Sequence, residues 1–463
     1  MMFSAHTYQS RRSLLQDRMS SGVLLFLGNI ENPINFEHNV YPFRQDSSFL
    51  YYFGIQHAQL AAIIDIDENK TILFGDELSI DDIVWMGQQE SLKEKASKAD
   101  VIDVLPKKEL SAYITKALAK NQKVHFLPPY QSVNKILLSE LLACPISQLQ
   151  PSVEFIKAVV AQREIKEEQE IEQIEEALRV STEMHLLAMR TGKAGVKEYQ
   201  IASAIQQHAG SNACGFAYPP IVTIHGEILH NSYQGHELAN GDLLLNDSGA
   251  ETPMGYAGDL TRTFPVSGRF TDKQKALYNI VLNAFITARE ALAPGVKFKD
   301  IHLLACKTLV EGLQQVGLMK GDADEAVKQH AHTLFFQCGL GHMMGLDVHD
   351  MEDLGEQYVG YTELEPKDTK TFGLKSLRLG KELQEGFVVT VEPGIYIIPE
   401  LIDIWKKENK LAQFINYKLL EEYRDFGGIR IEDNFLITAN GYRLLGPELI
   451  KTVAEIETYC SSK

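Results

Sequence analysis

Five short segments of this 463-residue chain concentrate side chains able to hold cations or move protons. They are Asn246-Asp-Ser-Gly249, Gly258-Asp-Leu-Thr-Arg-Thr-Phe-Pro265, Gly339-Leu-Gly-His-Met-Met-Gly-Leu-Asp-Val-His-Asp350, Val391-Glu-Pro-Gly-Ile-Tyr396 and Gly428-Ile-Arg-Ile-Glu-Asp433. Asp247 ends the apolar run that starts at Leu243, Glu392 ends the run from Val388, and Glu432 follows Ile429-Arg-Ile431. Anions placed against a core in this way are costly unless they are paired or bind cations. Four carboxylates and one imidazole suit a dinuclear site for divalent ions. Oxygen ligands favour Mn²⁺, and a single histidine leaves Zn²⁺, Co²⁺ or Fe²⁺ open. Two such ions about 3.5–4 Å apart can share a hydroxide and polarise a carbonyl, which is hydrolytic chemistry. Each segment alone has a plainer explanation: an Asp at a strand end is commonly a turn residue, a lone His is commonly structural, and Val-Glu-Pro-Gly can be only a turn. The conjunction of all five, in this order, is what is specific.

The elements that must position them are legible as runs and periods. Val23–Leu27, Ala61–Ile64 and Thr71–Phe74 are short apolar runs bounded by Gly, Asp and Asn, and helical stretches cover 109–119 and 134–142, giving a small α/β domain over residues 1–160. From Ser152 to Arg190 the chain is dense in charge, and Ile165, Ile171, Ile174 and Leu178 recur at helical spacing. The charge run 163–176 reads as a solvated helix face. A second domain, 161–463, is α+β: 242–246, 387–391 and 434–438 are expected strands, 273–292 and 299–316 expected helices. Two polar, weakly periodic stretches, 354–381 and 399–427, are expected to be long loops or insertions.

Composition narrows the setting. With 45 basic against 62 acidic side chains the net charge is −17, which disfavours a broad nucleic-acid or anionic-membrane surface. Five scattered cysteines without a Cys-x-x-Cys pair predict neither a disulfide scaffold nor a zinc knuckle. The N-terminus lacks the apolar core of a signal peptide and Val23–Leu27 is too short to span a bilayer, so the expectation is a soluble cytoplasmic protein.

These segments resemble those of the pita-bread metallopeptidases, and within them the aminopeptidase P (Xaa-Pro aminopeptidase) family. The likeness rests on Tyr256-Ala-Gly-Asp-Leu-Thr-Arg-Thr-Phe-Pro265, Gly-Leu-Asp-Val-His-Asp350, Val-Glu-Pro-Gly394 and Gly-Ile-Arg-Ile-Glu-Asp433, over residues 165–450. Tyr41-Pro-Phe-Arg-Gln-Asp-Ser-Ser-Phe-Leu-Tyr-Tyr-Phe-Gly54 resembles that family's N-terminal domain, which methionine aminopeptidases lack. The resemblance implies a pita-bread catalytic domain preceded by a smaller α/β domain. It implies metal ligands at Asp247, Asp259, His342, Glu392 and Glu432, with Asp259 and Glu432 bridging two ions, Asp247 on one, and His342 with Glu392 on the other. It places His230 on the substrate side, His349 near the scissile carbonyl, and Arg430 and Tyr396 in a network behind the ligand carboxylates. Two features depart from the family pattern. Asp247 and Asp259 are 12 positions apart, one more than usual, with the turn 251–255 expected to absorb the extra residue. Cys338 stands where most relatives carry a histidine, and reads as a small buried hydrophobe.

The expected reaction is attack of a dinuclear-metal-bound hydroxide on the bond before a proline in second position. Glu392 would shuttle the proton, His349 would support the oxyanion, and Asp247 would hold the substrate's amine. A prolyl nitrogen offers no N–H for an ordinary peptidase to read, so such bonds need a dedicated site. The alternatives are a prolidase restricted to Xaa-Pro dipeptides, a non-catalytic pita-bread binding protein, and a metal-free creatinase-like hydrolase. The last two are disfavoured because all five ligand positions keep competent side chains. A homo-oligomer, dimer or tetramer, is expected. The aromatics of Phe49-Leu-Tyr-Tyr-Phe53 are candidates for its interface, or else core of the N-terminal domain.

Overall fold

Val23–Leu27 and Ala61–Asp65 carry almost no polar side chains, so both faces of these strands need cover. In the computed structural model, which describes residues 2–461, they form the middle of a five-stranded sheet. Its order is Asp103–Leu105, Lys70–Phe74, Ala61–Asp65, Val23–Leu27, Val124–Phe126. The central pairings are antiparallel and the two edge pairings parallel. Helices Glu109–Ala119 and Ser132–Leu141 cover one face, where Leu110, Ile114 and Leu138 share a core with Val23, Ile63 and Phe74. Phe26, on the other face, packs against Tyr52, Phe53 and Phe155. This sheet belongs to the first of two units, which runs through Arg163 and takes in Met351–Tyr358; the second comprises Glu164–Asp350 and the chain from Val359 onward.

The Phe49–Phe53 segment is core, not interface. It forms the helix Ser47–Phe53, every residue of which is buried. Asp46 caps its N-terminus, Gly54 closes it in the left-handed conformation, and the Arg11 guanidinium lies 3.9 Å from the centre of the Tyr51 ring.

The charge-dense stretch from Ser152 is two helices, Val153–Arg163 and Glu168–Thr191, not one. The chain is extended at Glu167, whose side chain exchanges a capping box with Glu170, so a new helix starts there. Ile165 falls in the gap and is 38% exposed, outside the apolar stripe to which its spacing assigned it. The 399–427 stretch is less loop-like than expected. Pro399–Lys407 is a helix with proline in its first turn, where the missing N–H costs nothing, and it buries Ile402 and Trp405. Within 354–381 the regular pieces are short, Glu356–Val359 and Leu374–Ser376.

In the second unit Leu243–Asp247 pairs antiparallel with Thr261–Pro265 on one side and Ile221–Thr223 on the other. Val388–Val391, Asp433–Thr438 and Gly441–Leu444 make another antiparallel sheet, and Gly394–Tyr396 pairs with Gly428–Arg430. A bridge between Thr261 and Glu432 links the two sets of strands. Among the described residues, no helix is long and apolar enough to cross a membrane.

Candidate metal-binding active site

Register sets the carboxylates. Asp247 is the last residue of its strand and faces Thr261 across the ladder. Asp259 reaches the same place after the strand Ala250–Glu251 and a turn closed by Gly255 N–H on Thr252 O at 2.8 Å, with Gly255 at φ 88°. Glu392 follows Val391, which lies opposite Asp433, one residue past Glu432. His342 is pinned on both sides of its backbone, its N–H donating to Thr390 Oγ1 at 3.1 Å and its C=O accepting from Thr390 N at 3.0 Å. Nδ1 of its ring lies 3.0 Å from Met343 O, so Nδ1 carries the hydrogen and Nε2 faces the carboxylates, 3.4 Å from Asp259 and 3.7 Å from Glu392. One donor atom each from Asp259, His342 and Glu432 falls within 4.8 Å of the others.

Behind them, Arg430 Nη2 donates to Asp247 Oδ2 at 2.5 Å and Nη1 donates to the Tyr396 hydroxyl at 2.8 Å. Thr261 Oγ1 donates to Glu432 Oε2 at 2.8 Å. The strands and the loops that leave them thus bring together every expected metal-ligand position, with Arg430 and Tyr396 behind.

The electrostatics call for positive charge. Burial pushes the carboxyl of Glu392 up, and burial together with the nearby Asp259 pushes that of Glu432 up further. Burial alone would lower the His342 imidazole, but Asp259 and Glu392 overcome it and raise it. Glu432 Oε1 is buried and has no hydrogen-bond partner among the described residues. Tyr218 adds a second sign. Its hydroxyl lies 2.7 Å from Asp247 Oδ1 and 2.5 Å from Asp259 Oδ1. A phenol has one hydrogen to give, so one of these contacts sets oxygen against oxygen. An orphaned carboxylate oxygen, crowded anions and one imidazole fit divalent cations, and this donor set could hold them.

The carboxylates open onto a cavity of about 610 Å³. His349 and His230 both line it, His230 exposed and His349 with its ring set edge-on against His342 at 4.4 Å between centroids. Cys338 is part-buried and lines the same cavity, so it is more than a filler of core; its Sγ lies 3.9 Å from the Tyr396 hydroxyl, and burial with Glu392 nearby pushes the thiol up to about 12.

Three residues here were not found from sequence. Tyr218 sits in Ala217-Tyr-Pro-Pro220, far in sequence from both of its carboxylates, and only its place before proline marked it as extended. Nothing local in the sequence assigns Arg262 a role. It is fully buried and spends all five N–H groups, on the carbonyls of Thr261, Glu432, Leu449 and Ile450 and on Asp433 at 2.6 Å. An arginine in mid-strand was the available signal. His185 lies on the helix Glu168–Thr191 and holds the turn after Asn246, accepting from Asn246 Nδ2 at 3.1 Å and donating to Ser248 O at 3.1 Å. Only its helical spacing was visible.

Comparison with known proteins agrees with this geometry. Residues 172–439 match metallopeptidase family M24. The chain belongs to that family. Residues 8–126 match the aminopeptidase P N-terminal domain, so the two-domain architecture is that of an aminopeptidase P-type, pita-bread M24 protein. The chain is 33% identical to the human Xaa-Pro dipeptidase, over 90% of its own length and 84% of that protein's. It is 32% identical to a probable Xaa-Pro aminopeptidase of Pyrenophora tritici-repentis, over 88% and 85%. Zinc-substituted Escherichia coli aminopeptidase P in complex with product superposes with a TM-score of 0.81 at 27% identity, covering 99% of both chains. Aminopeptidase P II from Yersinia pestis gives a TM-score of 0.82 at 28% identity over 100% of both. M24 membership makes this chain a metallopeptidase acting with divalent ions on peptides.

Proposed function

We propose that this protein is an Xaa-Pro aminopeptidase, releasing the first residue from peptides with proline second. The observation that carries the reading is the set of Asp247, Asp259, His342, Glu392 and Glu432 at the edge of a 610 Å³ cavity also lined by His230 and His349. These five would hold two ions, Mn²⁺ by preference. When bound, the ions supply Lewis acidity and lower the pKa of water. Glu392, only part-buried, takes a proton from the attacking water and returns it to the prolyl nitrogen. His349 donates to the developing oxyanion, and His230 orients the peptide. Arg430 and Tyr396 hold Asp247 in place, and Asp247 receives the substrate's N-terminal amine.

A second reading, a dipeptidase, draws support from Arg378, which lines the cavity and has the charge to read a proline carboxylate. A series of Xaa-Pro-(Xaa)n peptides, assayed after metal stripping and re-supply with Mn²⁺, Co²⁺ or Zn²⁺, separates the two. Turnover of tripeptides and longer substrates is expected. Turnover of dipeptides alone, with a raised KM in Arg378→Met, would establish the dipeptidase instead.

The assembly proposed with it is a homodimer. With Phe49–Phe53 buried, the candidate contact is the helix Ile80–Met86, no residue of which is buried and which leaves Trp85 86% exposed. Light scattering tests this, and a monomer of full activity would end it.

A further inference from the structure

The helix Phe298–Gln315 and the 3₁₀ turn Ala331–Leu334 bury a second group of ligating side chains, one the peptidase chemistry does not use. His302 and Cys306 are four residues apart and so project from one face of the helix. Cys306 Sγ lies 3.5 Å from His302 Nε2. His332 joins them from the turn, and one donor atom from each of the three lies within 4.8 Å of the others. His302 and His332 are each 1% exposed and Cys306 is fully buried. None of the three is among the residues lining the cavity of Glu392 and His349.

Their polar atoms are under-used. His302 Nδ1 and both ring nitrogens of His332 have no hydrogen-bond partner among the described residues. A buried imidazole with neither nitrogen paired to another protein group is an arrangement native interiors avoid, and a bound ion would satisfy it. Apolar side chains would fill the same space at lower cost.

We propose that His302, Cys306 and His332 form a binding site for a soft d¹⁰ metal ion, Zn²⁺ or Cu⁺, held by two neutral imidazoles and one thiolate. Thiolate and imidazole donors select these ions over Mn²⁺ or Mg²⁺, the reverse of the preference of a carboxylate cluster. A metal–sulfur bond of about 2.3 Å and a metal–nitrogen bond of about 2.0–2.1 Å at a tetrahedral angle put the two donors about 3.5 Å apart. The Cys306–His302 separation is 3.5 Å. Binding forms the metal–sulfur bond and releases the Cys306 thiol proton to solvent, with no change of oxidation state. The ion is structural. Just beyond His332, Phe335 O accepts the Tyr396 N–H at 2.8 Å, and Cys338 and Gly339 line the active cavity, so the ion clamps this wall to the helix Phe298–Gln315.

The test uses full-length protein produced in medium supplemented with zinc, copper or cobalt, then dialysed against a chelator that strips the carboxylate site. One equivalent of zinc or copper is expected to remain, and whichever remains identifies the ion. The cobalt form is expected to show a sulfur-to-cobalt charge-transfer band in the near ultraviolet, which a site of oxygen and nitrogen ligands cannot produce. Cys306→Ala abolishes the band, and both Cys306→Ala and His332→Gln lower retention of the ion at least about 10-fold. Cys338→Ser and Asp259→Asn leave the band in place. Absence of both retained ion and band in the unsubstituted protein, a reading that needs no variant to fold, overturns the proposal. So does a band that survives Cys306→Ala.

Discussion

Ile63 sits in the middle of the first unit's sheet and Asn246 in a central strand of the second, and both are fully inaccessible to water. Around Ile63 the neighbours are aliphatic and aromatic, Leu25, Ile72 and Phe74 among them. Around Asn246 lie Thr223, Ser248, Thr261, Arg262 and Thr263, each with no measurable exposure. The first sheet is held by non-directional burial, which tolerates any side chain of the right size. The second is held by directed hydrogen bonds, each of which fixes a distance and an angle. That difference suits their work: carboxylates destined to share cations must stand at set separations, and only a directional network holds them there while they repel one another.

The sharpest way to break this contrast is to remove one of the repelling charges. Asp259→Asn and Glu432→Gln are each expected to abolish turnover and to lose at least one bound ion by metal analysis. In the metal-free state both are expected to raise the melting temperature, because each relieves a like-charge contact that burial makes severe. A lower melting temperature in the metal-free variants would mean that the carboxylates are not under repulsion. His349→Ala, which removes a ring packed edge-on against His342 but none of the ligands themselves, is expected to keep its ions and lose roughly 10²–10³ in kcat. Ile63→Ala probes the other region. It is expected to cost the first unit about 2–5 kcal/mol in denaturant unfolding while leaving the ion content of the second unchanged. Tyr218→Phe is expected to weaken ion affinity by about 10–100-fold, as loss of a ligand's hydrogen-bond partner commonly does, read by competition with a chelator.

The smallest effect appears only on acidification. Burial pushes His185 down to about 4 from its ordinary value near 6.5, with Arg262 acting in the same direction. The group is neutral in the fold and takes a proton more readily when unfolded. Its contribution is therefore complete above pH 6.5 or so and is lost as pH falls towards about 4. His185→Gln, whose amide can both accept from Asn246 and donate to Ser248, is expected to flatten the fall of melting temperature across that window and to change nothing at pH 7.

How far these features were legible follows the same division. The strands Val23–Leu27 and Leu243–Asp247 announce themselves because apolar runs are local signals, and Asp247, Glu392 and Glu432 stand out as charges ending such runs. Tyr218 does not, because nothing nearby in sequence encodes a contact with carboxylates 29 and 41 residues away. The gap around Ile165 was hidden because the apolar spacing continues through it, and only the Glu167–Glu170 cap interrupts the helix. Pro399–Lys407 reads as loop because its one apolar face, Ile402 and Trp405, spans only 9 residues after a proline, too short a window to stand out among its polar neighbours. The His302, Cys306 and His332 group escaped a search for paired cysteines, since it contains one cysteine and draws its second histidine from another element.

Arg262 has a consequence for motion. Its five N–H groups are all bonded, four of them to backbone carbonyls on three stretches of chain, so no single bond can open without stranding a buried donor. The segments that carry Asp259 and Glu432 should therefore separate all at once or not at all. The amide of Glu432, bonded to Thr261 O at 3.1 Å, lies inside this knot. Its hydrogen is expected to exchange with deuterium only at the rate of global opening, while peripheral amides exchange through local fluctuations. Arg262→Lys, which leaves three donors on a flexible stem, would lower that protection to a sub-global value, and the spacing of the carboxylates would begin to breathe.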